Sequence, residues 1–192
     1  MMSWLRARSN NTRKARELYG AVVAQARRPA FYRDFGVPDT MAGRYEMLAL
    51  VTFQLLERLR AEGASVTDMS RLTLENLFTD VDDNMREIGI GDLSVPKNVK
   101  RAAAGFYERA QAYRPLLEAG DGTGLALALA RFMQQREAAD AGMRALAAHL
   151  LAERRAMAAT GIDAVLAGRG FTEPMSGTAS NTGSNRAAEE GR

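Results

Sequence analysis

The chain has 192 residues, 46% of them hydrophobic, which is enough for one well-buried domain but not for two independent cores. It has no cysteine, so disulfides, a thiolate nucleophile and thiolate metal sites are excluded. The net charge is only +3, but its layout is uneven: Glu17 is the only acid before Asp34, the next 60 or so residues are net acidic, and residues 97–155 are basic again. This layout suits a charged partner at one face better than bulk nucleic-acid binding.

The N-terminus is rich in arginine (Arg6, Arg8, Arg13, Arg16) and has the composition of a transit peptide. The amphipathic pattern beginning at Arg13 runs directly into the rest of the chain, however, so residues 1–12 read as a basic arm of the mature protein. From Arg13 to Arg28, Ala15, Leu18, Tyr19, Val22, Val23 and Ala26 recur at the spacing of one helical face, and Pro29 ends the helix. Phe31, Tyr32 and Phe35 follow in an aromatic loop between Pro29 and Pro38. Three aromatics so close together either plug the edge of a core or form an exposed contact patch.

Asp39 or Thr40 is placed to cap a helix over Met41–Ala61. Its middle is apolar almost all round, which predicts the buried centre of the fold, and Gly63 stops it. The longest apolar run, Met47 to Leu56, is about half of the roughly 20 residues needed to span a bilayer, so no transmembrane helix is expected. Thr67–Thr73 reads as a polar connection, and Leu74, Leu77, Phe78, Val81, Met85 and Ile88 then form a second stripe.

Gly89 is positioned to close that helix in a left-handed conformation, and Gly91 helps shape the turn. Pro96 falls in the first turn of the next helix, where proline costs little. Val99, Ala103, Phe106, Ala110, Tyr113 and Leu117 make the third stripe. Gly120–Gly124 is a turn, followed by helices over Leu125 to about Gln134 and Asp140–Met157. No strand alternation occurs. The expected fold class is all-α: one bundle of about six helices over residues 13–167, with a disordered tail at 168–192 too poor in apolar residues to offset its ordering entropy.

The residue inventory offers little catalytic chemistry. His149 is the only histidine, and without cysteine it builds no ordinary zinc site; a surface or half-buried position is expected. Gly120–Gly124 matches no phosphate-binding or dinucleotide motif. Asp80, Asp82, Asp83 and Glu87 bring acids together on one helix, but Arg86 interrupts the spacing of an aspartate-rich magnesium motif and no second acidic helix completes it. Asp80, Asp83 and Glu87 also centre roughly 130° from the apolar stripe, toward solvent. No catalytic residue, metal, cofactor or small-molecule substrate is expected.

The notable feature is the hairpin itself. Its acidic helix end and its basic helix start, with Lys97, Lys100 and Arg101 on one face and Ala104 and Gly105 continuing along the outer side, both carry the charge sign that a helix dipole disfavours. Either the acids Asp80, Asp83 and Glu87 pair with the bases and fix the hairpin, or the charges are kept for a partner.

Three runs carry a resemblance: FYRDFGVPDTMAGRYEML at Phe31–Leu48, LFTDVDDNMREIGIGDLSVPKNVKR at Leu77–Arg101, and FYERAQAY at Phe106–Tyr113. From about Arg16 to Met133 the chain resembles the ubiquinol-cytochrome c chaperone family of mitochondria and alphaproteobacteria. The resemblance implies an all-helical, non-enzymatic assembly factor for respiratory complex III that engages newly made cytochrome b or another complex III subunit. Mitochondrial members work with a small partner protein and near the ribosomal exit. The resemblance places weight on Asp80, Asp83, Arg86, Glu87, Gly89, Gly91, Asp92, Lys97, Lys100 and Arg101. With the aromatics Phe31, Tyr32, Phe35 and Tyr107, the charged members of this set are the expected partner-binding surface. The expected location is cytoplasmic, peripheral at the inner face of a bacterial inner membrane through Arg6–Arg16, or the matrix for a mitochondrial chain, without the membrane-attached extension of some mitochondrial members. The competing reading is a ribosome- or nucleic-acid-binding helical protein that uses the basic first helix.

Overall fold

The computed structural model describes residues 2–87 and 95–174, with side chains for all of these except 2–8, 65 and 95. The described residues form an all-α bundle: α1 (Met2–Ala26), α2 (Pro29–Arg33), α3 (Met41–Ala61), a 3₁₀ turn at Gly63–Val66, α4 (Thr67–Glu87), α5 (Val95–Ala119), α6 (Gly122–Leu129) running into a π-helical turn at Ala130–Gln134, α7 (Ala141–Ala159) and α8 (Ile162–Leu166). Among the described residues no helix is long and apolar enough to cross a membrane.

α3 is the centre because its sequence lets it bury every side. The seven consecutive residues Ala49–Leu55 are all buried, and α1, α4 and α7 pack around them. Thr52 and Gln54 sit in that apolar run without penalty because their polar atoms find carbonyls: Thr52 Oγ1 donates to Leu48 O and Gln54 Nε2 to Leu150 O. Thr40 caps the helix, its hydroxyl accepting from the Gly43 N–H at 3.1 Å. A Cβ on Gly43 would collide with the Pro38 carbonyl, so only glycine lets the incoming loop cross the first turn. Asp140 starts α7 in the same way, accepting from the Met143 N–H at 2.8 Å.

Several expected boundaries move. The backbone of residues 2–12 is helical and continuous with α1. Pro29 does not end α1, which stops at Ala26; it opens α2, so part of the expected aromatic loop is helical. The polar connection at Thr67–Thr73 is instead the first part of α4, where the buried Thr73 hydroxyl donates to Met69 O at 2.8 Å. That internal bond removes the cost that made the stretch read as a loop. The turn at Gly120–Gly124 is shorter than expected, since Asp121 caps α6 by accepting from the Gly124 N–H.

The C-terminal expectation also changes. Residues 168–174 are packed on the bundle, with Gly170 buried and Phe171 against the core, and Thr172 hydrogen-bonds a buried carboxylate. A composition-based reading misses this because it counts apolar residues and not the buried polar group they cover.

Candidate partner-binding surface

Helices α4 and α5 pack as an antiparallel pair beside α3. Leu77 and Val81 of α4 and Phe106, Ala110, Tyr113 and Leu117 of α5 are buried, so the predicted stripes do face the core. Phe106 sits between two edge-on aromatic contacts, Phe78 at 6.2 Å and Tyr107 at 5.7 Å. Pro96 lies in the first turn of α5, while Gly89, Gly91 and Asp92 lie outside the described residues.

The acids divide by environment. Asp80 does not point to solvent as expected: it accepts a hydrogen bond from the Tyr19 hydroxyl of α1 at 3.0 Å and ties α4 to α1. Burial, then the Asp80 charge, pushes the Tyr19 phenol far up, so it remains a donor. Asp82 pairs with Arg86 one turn on, at 2.9 Å. Asp83 and Glu87 are exposed. Among the described residues, no ion pair joins Asp80, Asp83 or Glu87 to Lys97, Lys100 or Arg101, and no group of three acidic or histidine side chains is arranged to hold a metal ion. Lys97, Lys100 and Arg101 are all exposed along one side of α5. Ala104 continues that side, but Gly105 does not: its carbonyl accepts from Arg109 Nη1 at 2.9 Å, under the arginine.

The aromatics divide too. Phe31 and Phe35 are each 1% exposed and pack against His149, at 5.6 and 5.8 Å between ring centres. They plug the core and offer no area to a partner, which corrects their place in the expected binding surface. Tyr32 is half-buried, its hydroxyl donating to Ala26 O at 2.8 Å. Tyr107, in contrast, is 53% exposed.

Tyr107 stands over a groove of about 440 Å³ between α3, α4 and α5. Phe53, Leu56, Leu74, Phe106 and Ala110 give it an apolar floor, and Arg60, Arg71 and Arg114 stand around it. The arginines are held by acids: Glu57 accepts from Arg114 and from Arg60, and Arg71 pairs with Glu75 at 2.6 Å. Burial pulls the Glu57 carboxyl upward, but the hydrogen bonds from Arg114 and Arg60 outweigh it and hold it below its ordinary value. Outside the groove, α5 is tied to the first half of α3 by a bidentate pair, Arg109 Nε and Nη2 to Glu46, both at 2.5 Å, with the guanidinium 4.9 Å from the Phe132 ring centre. Leu56 and Leu74 were not legible as components of the groove. Tyr107 beside Phe106, one residue off the buried stripe, is the sequence signal that pointed there.

The groove thus sets an apolar floor beside charged side chains, and among the described residues no group of acidic or histidine side chains is arranged to hold a metal ion. The ubiquinol-cytochrome C chaperone family model matches residues 33–171, and the chain belongs to that family, whose members are non-enzymatic assembly factors of respiratory complex III. The chain is similar to the crystal structure of the Cbp3 homolog from Brucella abortus, with 35% identity, 91% of this chain and 98% of that chain covered, and a TM-score of 0.79. A comparison with curated proteins finds no match. The family match starts at Arg33, after α1, and extends to Phe171, inside the segment that composition alone assigned to a disordered tail.

Proposed function

We propose that this complex III assembly chaperone holds an apolar segment of newly made cytochrome b in the groove between α3, α4 and α5, while Lys97, Lys100 and Arg101 meet acidic parts of the client further along α5. The observation that carries this reading is Tyr107: a large aromatic more than half exposed at the edge of an apolar groove, on the helix that also presents three exposed bases lacking an ion pair with the acids of α4. An amphipathic aromatic beside an apolar floor is the composition of an interface centre. A photo-crosslinking residue in place of Tyr107 should capture cytochrome b in cells. Capture of complex III subunits from Ala152, on the exposed side of α7, but not from position 107 would overturn the groove assignment.

The same reading places the protein peripherally on the membrane face where its client is inserted. The exposed Lys14 and Arg16 of α1 support this, since basic side chains near a helix surface favour anionic lipid. Flotation with anionic vesicles at low salt should carry the protein upward and fail with neutral ones; equal behaviour with both rejects the membrane contact.

A further inference from the structure

Away from the hairpin, a cluster of buried polar groups joins α1, α7 and the C-terminal segment. Glu153 of α7 is 1% exposed and Gln25 of α1 is 2% exposed. Gln25 Nε2 donates to Glu153 Oε1 at 3.0 Å and to Thr172 O at 2.8 Å. The Thr172 N–H and hydroxyl reach the same Glu153 oxygen, at 3.1 and 3.5 Å. Among the described residues the hydrogen bonds to this carboxyl fall on Oε1, which leaves Oε2 able to carry a proton without breaking any of them. Arg28, between α1 and α2, pairs with Glu173 in the next position of the segment.

The segment leaves α8 through a glycine turn. Gly168, just after α8, has φ +77°, and a Cβ there would lie 2.6 Å from the Ala21 Cβ, so the chain turns at this point in a conformation suited to glycine. Beyond this turn, Gly170 packs over Val165 and Met157, and Phe171 lies against the core. The contact thus has a glycine turn at one end, an ion pair at the other and a buried acid in the middle.

We propose that residues 168–174 form a strap that closes over α1 and α7 with uptake of one proton by Glu153, so that the seam beneath it opens as pH rises through neutrality. The proton comes from solvent and sits on the Glu153 carboxyl. When the strap opens, the carboxyl is hydrated and returns the proton.

The groups facing Glu153 supply little compensating charge. His149, one turn earlier on α7, has its Nε2 3.9 Å from Glu153 Oε1, but burial, then the Arg28 charge, pulls the imidazole below its ordinary value and disfavours the cation that would pair with the acid. Arg28 is shared with Glu173, and Gln25 and Thr172 are uncharged. Burial therefore dominates, opposed by the bonds from Thr172 and Gln25 and by Arg28, and pushes the Glu153 carboxyl up to about 7. Because the buried form has the raised value, closure is favoured at low pH. That advantage is lost as pH climbs from the ordinary carboxylate range through about 7.

The Thr172 amide reports the contact directly, because it donates to Glu153. In the full chain, its hydrogen-exchange protection, corrected for intrinsic exchange, should fall by about tenfold or more between pH 5.5 and 8, and Glu153→Gln should flatten that dependence. The same slope in both proteins overturns the proposal, as does Thr172 protection equal to that of the Leu55 amide at every pH, which would mean the strap never opens by itself. A second variant covers the case where Glu153→Gln does not fold. Thr172→Pro lacks the amide donor, and its cleavage by trypsin after Arg169, scaled to a free peptide, should be fast at every pH. The wild type should be protected at pH 6 and cut at pH 8; equal scaled rates in the wild type at both pH values reject the strap.

Discussion

The α4–α5 hairpin and the α1–α7 side treat charge in opposite ways. On the hairpin, Asp83, Glu87, Lys97, Lys100 and Arg101 are exposed and the two signs do not close on each other. Across α1 and α7, and at the Glu46–Arg109 pair, the buried acids Glu153 and Glu46 each accept hydrogen bonds from neighbouring elements. Water explains the difference. An exposed ion needs no partner and gains little from one, whereas a buried ion left alone is costly. Hydrogen-bonded acids therefore tie helices together inside the bundle, while the exposed charges of the hairpin are left to water.

The comparison can be broken most forcefully at the buried end. Arg109→Ala leaves Glu46 buried without its cation and should cost about 3–5 kcal/mol in chemical denaturation. Phe31→Ala, which removes a ring packed on Phe35 and His149, should cost about 3–5 kcal/mol, whereas Tyr107→Ala should change stability by about 0.5 kcal/mol or less. Equal losses for the two aromatics would erase the distinction between core and docking surface. Next in size, Thr40→Ala removes the α3 cap and should cost about 1 kcal/mol.

Smallest in stability is the triple reversal Lys97→Glu, Lys100→Glu, Arg101→Glu, at about 0.5 kcal/mol or less per site. Its effect belongs in function: complex III abundance in cells should fall while the melting temperature holds, and unchanged abundance would remove the basic face from the docking surface. A pH test sharpens the paired side. Glu57 is held below its ordinary value by Arg114 and Arg60 despite burial, so its contribution is present above the unfolded carboxylate range and is lost as pH falls through the depressed value. Glu57→Gln should therefore flatten part of the acid limb of a denaturation profile.

Much of the fold was readable because helical periodicity is a local property. Met41–Ala61 matches α3 from end to end, and its all-round apolar middle announced the centre of the bundle. Boundaries failed where a local signal had two meanings: Pro29 both stops one helix and starts another, and Thr73 is polar in sequence yet bonded within its own helix. The site was less legible. Tyr107 and the three bases of α5 were visible on what is the exposed side of their helix, but Phe31 and Phe35 could plug a core or face a partner, and only their neighbour His149, over a hundred residues away, decided it.

By itself the sequence determined the helical class, the central helix, the stripes of α4 and α5 and the family, because each rests on residues close together in the chain. Only the tertiary structure decided which polar groups meet. Asp80 finds Tyr19, Glu46 finds Arg109, and Glu153 finds Gln25 and Thr172, across separations of 61, 63, 128 and 19 residues. No periodicity encodes such pairs, since packing brings the partners together and the cost of burying a lone polar group makes the meeting necessary.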